Sequence, residues 1–197
     1  MIPYDAILCD FDGVLRHHDL SVQADIERRY GMASGTLLGV ALAPEVVTPA
    51  ILGRITEEEW RAAIAEALGG DERARRIAAE FAEVPSWIDE EVRSLLAKAQ
   101  EHVPIVLVTN ATTKLEEDLE RLGLAYFADA VVSSARVGVA KPDRRIFEIA
   151  AKEAGAAPER CLFVDDSPAN VEAARALGMT GVHFTSVADL ATALRLG

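Results

Sequence analysis

Cysteine is nearly missing from this chain: its 197 residues hold two, Cys9 and Cys161. Both sit in apolar runs that read as strands. That argues against a disulfide framework or a thiolate metal site and fits free, buried thiols in a reducing compartment. Basic charge is the second shortage. Twenty Lys and Arg stand against 32 Asp and Glu, for a net charge of −12. A surface of that sign repels nucleic acid and anionic membranes, so neither is expected as a partner. The basic clusters at 27–30, 72–76 and 143–145 are short and interleaved with acids, as solvated helix faces are. Long hydrophobic runs are missing too. The longest, TLLGVALAPEVV at 36–47, is too short to span a bilayer and contains Pro44 and Glu45. The opening MIPYDAILCD has no basic stretch and no long apolar run. No signal peptide is expected there, and the location expected is cytoplasmic. Internal repeats and low-complexity segments are absent from the sequence.

Half the residues are hydrophobic, enough for a well-packed core. Five short apolar runs read as buried strands: 6–9, 105–108, 130–132, 161–164 and 181–184. From Ile105 onward they alternate with helical patterns. Thr113 is expected to cap a helix that reaches Leu122 and stops at Gly123. A second helix runs from about Asp143 to Ala154. Ser167 and Pro168 start a third, which Gly178 closes, and Ser186 caps a last one to the C-terminus. Strand–helix alternation with fully apolar strands implies a parallel sheet covered on both faces. The segment from about Leu15 to Val92 differs. It shows no convincing strand, and 21–30, 56–70, 71–83 and 87–101 read as helices. Thr56 and Glu59 form a capping box for the second of these. The expected division is an α/β core of 1–15 and 93–197 with a helical insert of 16–92. The insert leaves the sheet at a strand's carboxyl end, where open α/β sheets bind ligands.

The stretch ILCDFDGVL, residues 7–15, places two carboxylates, Asp10 and Asp12, at the end of the first strand and Gly13 directly after them. Carboxylates this close repel each other unless a cation relieves them or they share a chemical task. Three further strand ends or loops carry matching chemistry. LVTN supplies Thr109 and Asn110, GVAKPD supplies Lys141, and FVDDSPAN supplies Asp165, Asp166, Ser167 and Asn170. Hard oxygen ligands with few imidazoles or thiols suit Mg²⁺ rather than zinc. A lysine, a hydroxyl, an amide and helix N-termini suit a phosphate.

Asp10-Phe11-Asp12-Gly13-Val14, Thr109-Asn110, Lys141-Pro142 and Asp165-Asp166, in that order, resemble the four motifs of the haloacid dehalogenase-like superfamily. The likeness is to phosphohydrolases with a helical cap after the first strand. It covers roughly 4–15 and 103–197; the cap matches only in type. It implies a Rossmann-like α/β fold and a small all-helical cap. It also implies a Mg²⁺-dependent phosphatase acting on a small phosphorylated metabolite, as a monomer or homodimer. By that resemblance Asp10 is the nucleophile, and Asp12 is the acid that protonates the leaving alkoxide and the base that activates water. Thr109 and Asn110, the latter through its backbone amide, bind the phosphoryl group. Lys141 neutralises that group and Asp10. Asp10, Asp165, Asp166 and the main-chain carbonyl of Asp12 make up the metal set, with Asp166 a direct ligand or a support.

The superfamily's sugar phosphomutases share all four motifs. Its 2-haloacid dehalogenases lack the second aspartate, since a halide leaves without a proton; Asp12 is present here. A catalytically silent binding protein on the same fold is the reading from another class. Plainer roles attach to single residues. Asp166 could only cap the helix that follows, and Asn170 could only brace its loop. Within the insert, Arg16 could reach a substrate anion, His17 and His18 read as a solvated hinge, and Arg54 faces either site or solvent. Trp60 shares a helical stripe with Ile64 and Leu68 and reads as core. Gly13 and 88–93 are the expected hinges of a moving cap.

Overall fold

The structure, a computed structural model, describes residues 2–195. The chain opens with β1 (Ala6–Cys9) and β2 (Arg16–His18). Five helices follow: α1 (Leu20–Arg29), α2 (Thr36–Ala41), α3 (Pro44–Ile51), α4 (Glu57–Ala67) and α5 (Glu72–Ala82). Next come β3 (Ser86–Ile88), α6 (Glu90–Gln100), β4 (Ile105–Thr109), α7 (Leu115–Arg121), β5 (Ala130–Ser133) and the four-residue α8 (Ser134–Val137). α9 (Arg144–Glu153), β6 (Cys161–Asp165), α10 (Pro168–Ala176), β7 (Thr180–His183) and α11 (Val187–Leu194) complete it. The expected strands and most expected helices form, with ends shifted by a residue or two. Residues 196–197, which the last expected helix included, lie outside the described residues.

The five long strands form one parallel sheet in the order β5-β4-β1-β6-β7. Successive strand residues point to opposite faces. On β1, Ile7 and Cys9 enter one hydrophobic layer and Ala6 and Leu8 the other. Leu162 and Val164 of β6 divide from Cys161 and Phe163 in the same way. The first layer is closed by Val92 and Leu96 of α6, Leu115 and Leu119 of α7, and Leu190 and Leu194 of α11. The second is closed by Ile146, Phe147 and Ala150 of α9 and Ala174 of α10. Both faces are covered, so every residue of β1, β4 and β6 is buried. Both cysteines are free, and burial pushes the Cys161 thiol up to about 11. Among the described residues no helix is long and apolar enough to cross a membrane.

Helices α1–α5 enclose a separate hydrophobic cluster built on Ile26, Leu37, Val46, Ile64 and Ile77. Trp60 packs against it edge-on to Phe81, with ring centroids 6.4 Å apart. Thr56 and Glu59 form the expected capping box on α4. The run at 36–47 folds into the short α2 and the start of α3.

Two expectations are corrected. The insert is not strandless: β2 and β3 pair antiparallel, Arg16 opposite Ile88 and His18 opposite Ser86. Both are three residues long, too short for a period-two pattern to show. They pair because the insert must leave and re-enter the sheet at one place. α6 accordingly begins at Glu90 rather than 87. Thr113, second, does not cap α7, whose N-cap is Lys114 without a side-chain bond. Its hydroxyl accepts from Glu57 N of α4 at 3.0 Å. Thr112 donates to the Glu57 carboxylate as well.

Phe147 is fully buried and meets Phe163 edge-on at 5.0 Å. Phe147→Ala should destabilise the chain by about 3–5 kcal/mol, because it opens a cavity and removes the aromatic pair. Urea unfolding followed by circular dichroism measures this; a loss below about 1 kcal/mol would show that the layer under α9 closes over the gap.

Candidate active site

The sheet order puts β1 in the middle, between β4 and β6, and Asp10 follows directly from its last residue. Asp165 is the last residue of β6, and Thr109 the last of β4. Three adjacent strands thus present their carboxyl ends to one point. Asp10 N donates to Val164 O at 2.9 Å, which ties the first motif to β6.

Lys141 joins this point from the loop before α9. Its Nζ lies 2.7 Å from Asp10 Oδ1 and 2.8 Å from Asp165 Oδ2. All three residues are buried. Burial alone would lower the Lys141 ammonium, but the Asp10 and Asp165 charges prevail and hold it above its ordinary value. Burial pushes Asp10 above the usual carboxylate range, against the pull of Lys141. Asp10 Oδ1 also accepts from Phe11 N at 2.7 Å. Asp165 Oδ1 accepts from Ser167 N at 2.8 Å, and the Asn170 amide reaches both Asp165 oxygens at 3.0 and 3.1 Å.

Asn110 fixes the lysine. Its Oδ1 accepts from Lys141 N at 2.8 Å and its Nδ2 donates to Lys141 O at 2.9 Å. The Asn110 side chain is therefore engaged within the protein. Thr109 is the opposite case. Its hydroxyl is buried beside the site and, among the described residues, is the buried side-chain polar atom without a hydrogen-bond partner. A buried orphan hydroxyl at a strand end is suited to a ligand oxygen. Behind it, Ser134 Oγ accepts from Ala111 N at 3.1 Å and donates to Ala111 O at 3.3 Å, which shapes the loop after β4.

One oxygen each from Asp10, Asp165 and Asp166 lies within 4.8 Å of the other two. Asp166 is the exposed member. These are hard carboxylate donors with no imidazole or thiol among them, a set that fits Mg²⁺. Gly13 has φ +82°, and a Cβ there would overlap the Asp166 carboxylate. Only glycine therefore lets the chain leave β1 so close to the cluster.

Asp12 has partners of its own. Its carboxylate is gripped by Arg16, Nε to Oδ1 at 2.6 Å and Nη2 to Oδ2 at 2.8 Å, and His18 Nε2 lies 3.3 Å from Oδ1. Burial alone would raise the Asp12 carboxyl, but the hydrogen bonds of His18 and Arg16 outweigh it and hold it below the usual carboxylate range. Arg16 is thus committed to Asp12 rather than free for a substrate anion. His17 stacks on Trp87 across the β2–β3 pair with ring centroids 5.9 Å apart. Arg54 is exposed. The grip of Arg16 on Asp12, the clamp of Asn110 on Lys141 and the loop tie of Ser134 were not legible beforehand. Each joins residues whose types carry no signal of pairing across a loop.

A family model described as haloacid dehalogenase-like hydrolase matches residues 4–178. A phosphoserine phosphatase of Thermus thermophilus is 37% identical over 135 residues, which is 66% of this chain and 54% of that protein. A sesquiterpene phosphatase of Aspergillus oryzae is 32% identical over 124 residues, 61% of this chain and 62% of that one. The chain thus spans between about half and three fifths of the length of these relatives. A haloacid dehalogenase-family enzyme of Bacteroides thetaiotaomicron, solved with magnesium and inorganic phosphate, superposes with a TM-score of 0.72 at 22% identity. That match covers 90% of this chain and 92% of the other, and at this identity it speaks to the fold alone. The matched residues run from just before β1 to just past α10 and take in every motif of the cluster, so this chain belongs to the haloacid dehalogenase-like hydrolases.

Proposed function

We propose that the chain is a Mg²⁺-dependent phosphatase that hydrolyses a small phosphorylated metabolite through an aspartyl-phosphate on Asp10. The observation that carries this is the Asp10–Lys141–Asp165 triad at three adjoining strand ends, with Asp166 completing an oxygen cluster and the unpartnered Thr109 hydroxyl beside it. The expected division fits the same picture. Residues 1–15 and 93–197 would form the catalytic core, and 16–92, with its own hydrophobic cluster, the cap.

The phosphoryl group would sit against the Thr109 hydroxyl, the Asn110 backbone amide and the Lys141 ammonium, which together offset its charge. Asp10 Oδ1 is occupied by Lys141 and Phe11 N, and these contacts fix the plane of the carboxyl. An Asp10 oxygen attacks phosphorus as the ester P–O bond breaks. Asp12 gives its proton to the departing alkoxide. It then takes one from the water that cleaves the Asp10 acyl-phosphate, and inorganic phosphate leaves. A dianionic ester arriving beside Asp12 favours the protonated form that the first step needs. Asp10, Asp165, Asp166 and the Asp12 main-chain carbonyl would hold Mg²⁺, whose charge offsets the carboxylates and the transferring phosphoryl oxygens. The insert leaves the sheet at the carboxyl end of β1 and would cover that edge of the sheet, which favours metabolites over proteins as substrates.

Phosphate release should be measured on a panel of phosphoserine, isoprenoid phosphates, sugar phosphates, phosphoglycolate and nucleoside monophosphates. Release should depend on Mg²⁺, stop with chelator and concentrate on one or a few esters. No release from any ester, together with isomerisation of a sugar phosphate or halide release from a 2-haloacid, would replace the reading by a mutase or a dehalogenase.

Asp10→Asn should lower kcat on the order of 10⁴-fold or more, as loss of a nucleophile does. Asp12→Asn should lower it by about 10²–10⁴-fold, the usual share of general acid–base catalysis. Steady-state rates of purified variants decide this, and retained turnover in Asp10→Asn would rule out the covalent route.

A further inference from the structure

Arg16 is 7% exposed, and each part of its guanidinium is engaged. Nε and Nη2 donate to the two oxygens of Asp12 at 2.6 and 2.8 Å. Nη1 donates to Asp118 of α7 at 2.7 Å. The guanidinium carbon lies 4.4 Å from the centroid of the Phe11 ring. A short turn produces this arrangement. Arg16 N donates to Phe11 O at 2.7 Å, and Gly13 N donates to Arg16 O at 2.9 Å. The chain leaves β1, doubles back and lays the guanidinium on the aromatic ring between Asp12 and α7.

A purely structural tie between β2 and α7 would need only the bond to Asp118. The fork on Asp12 does something else. An aspartate side chain beside a glycine turns freely about two bonds, and a group that must face a leaving oxygen and then a water loses rate with every wrong rotamer. A bidentate guanidinium fixes both the position and the plane of a carboxyl group. It takes one lone pair from each oxygen, and His18 Nε2 lies against Oδ1 as well; a carboxylate has about four, so a site remains on Oδ2 for the proton.

We propose that Arg16 is a positioning residue for Asp12: its fork, anchored by Asp118 and Phe11, holds the carboxyl in the one orientation from which the leaving oxygen is protonated. The proposal rests on Asp12 being the acid and base. Arg16 is not a substrate ligand in this reading, and Asp118 acts only through it.

The test compares p-nitrophenyl phosphate with benzyl phosphate. The two esters are alike in shape, but nitrophenolate departs without a proton and the benzyl alkoxide does not. kcat/KM reports the steps through leaving-group departure, before hydrolysis of the intermediate. Arg16→Lys keeps the charge and loses the fork. It should lower kcat/KM for benzyl phosphate by about 10- to 100-fold, within the range of acid catalysis, and for p-nitrophenyl phosphate by less than about threefold. Asp118→Asn should act in the same direction and more weakly. The ratio of the two esters is independent of the fraction of protein that folds. Equal losses on both, or a loss on neither, would overturn the proposal. If wild-type protein with Mg²⁺ hydrolyses neither ester, the proposed phosphatase function fails, and orientation is then read without turnover. Crystal structures of wild type and Arg16→Lys should show the Asp12 carboxyl turned differently, and the same orientation in both would reject the positioning role.

Discussion

One ammonium sits between two carboxylates that the sheet brings to adjacent strand ends. Lys141 lies within 2.8 Å of both Asp10 and Asp165, and none of the three has appreciable access to water. Each charge would be costly to bury alone, and one cation between two anions still leaves a net negative charge. That surplus is what makes the cluster fit a divalent cation. The surrounding architecture keeps the ammonium in place. The Asn110 amide clamps the Lys141 backbone, Asn170 and Ser167 N hold Asp165, and Phe11 N holds Asp10.

This arrangement explains why the two carboxylates of the first motif tolerate each other. They do not share one cation. Asp10 faces Lys141, whereas Asp12 faces Arg16 and His18. The turn at Gly13, directly after Asp12, brings Arg16 back onto Asp12, while the Asp12 charge still contributes to the rise of Asp10. The left-handed backbone there is what permits that turn.

The sheet was legible because its strands are buried on both faces, so each appears as an unbroken apolar run bounded by turn residues. The cluster was legible because strand ends concentrate polar residues that the strands themselves exclude. Asp10, Lys141, Asp165 and Asp166 do converge on one point. The β2–β3 ribbon was not legible, since three-residue strands carry no periodicity. The helices α2 and α3 that hold the 36–47 run are not legible either, because a Pro-containing apolar stretch shows no polar face until α3 docks on α4 and α8. An arginine just after a motif reads as a cation that could reach a substrate anion until the chain is seen to turn back on itself. Thr113 reads as a cap because the sequence shows the helix it precedes, not the helix that packs against it.

The insert touches the core at several places, α7 among them through Arg16 and Asp118. The β2–β3 ribbon joins it near β1. Gly53 lies so close to Ala135 O that a Cβ there would collide with the carbonyl. Glu57 meets Thr112 and Thr113 in the loop that follows Thr109 and Asn110. That last contact falls on the segment whose residues line the expected phosphate position, so the first turn of α4 helps to shape a loop of the core. The insert is thus not a detachable module. An insert transplanted from a relative would arrive without the partner of two core threonines and would leave that loop to find a new shape, so exchanging inserts requires recutting the loop after β4 along with them.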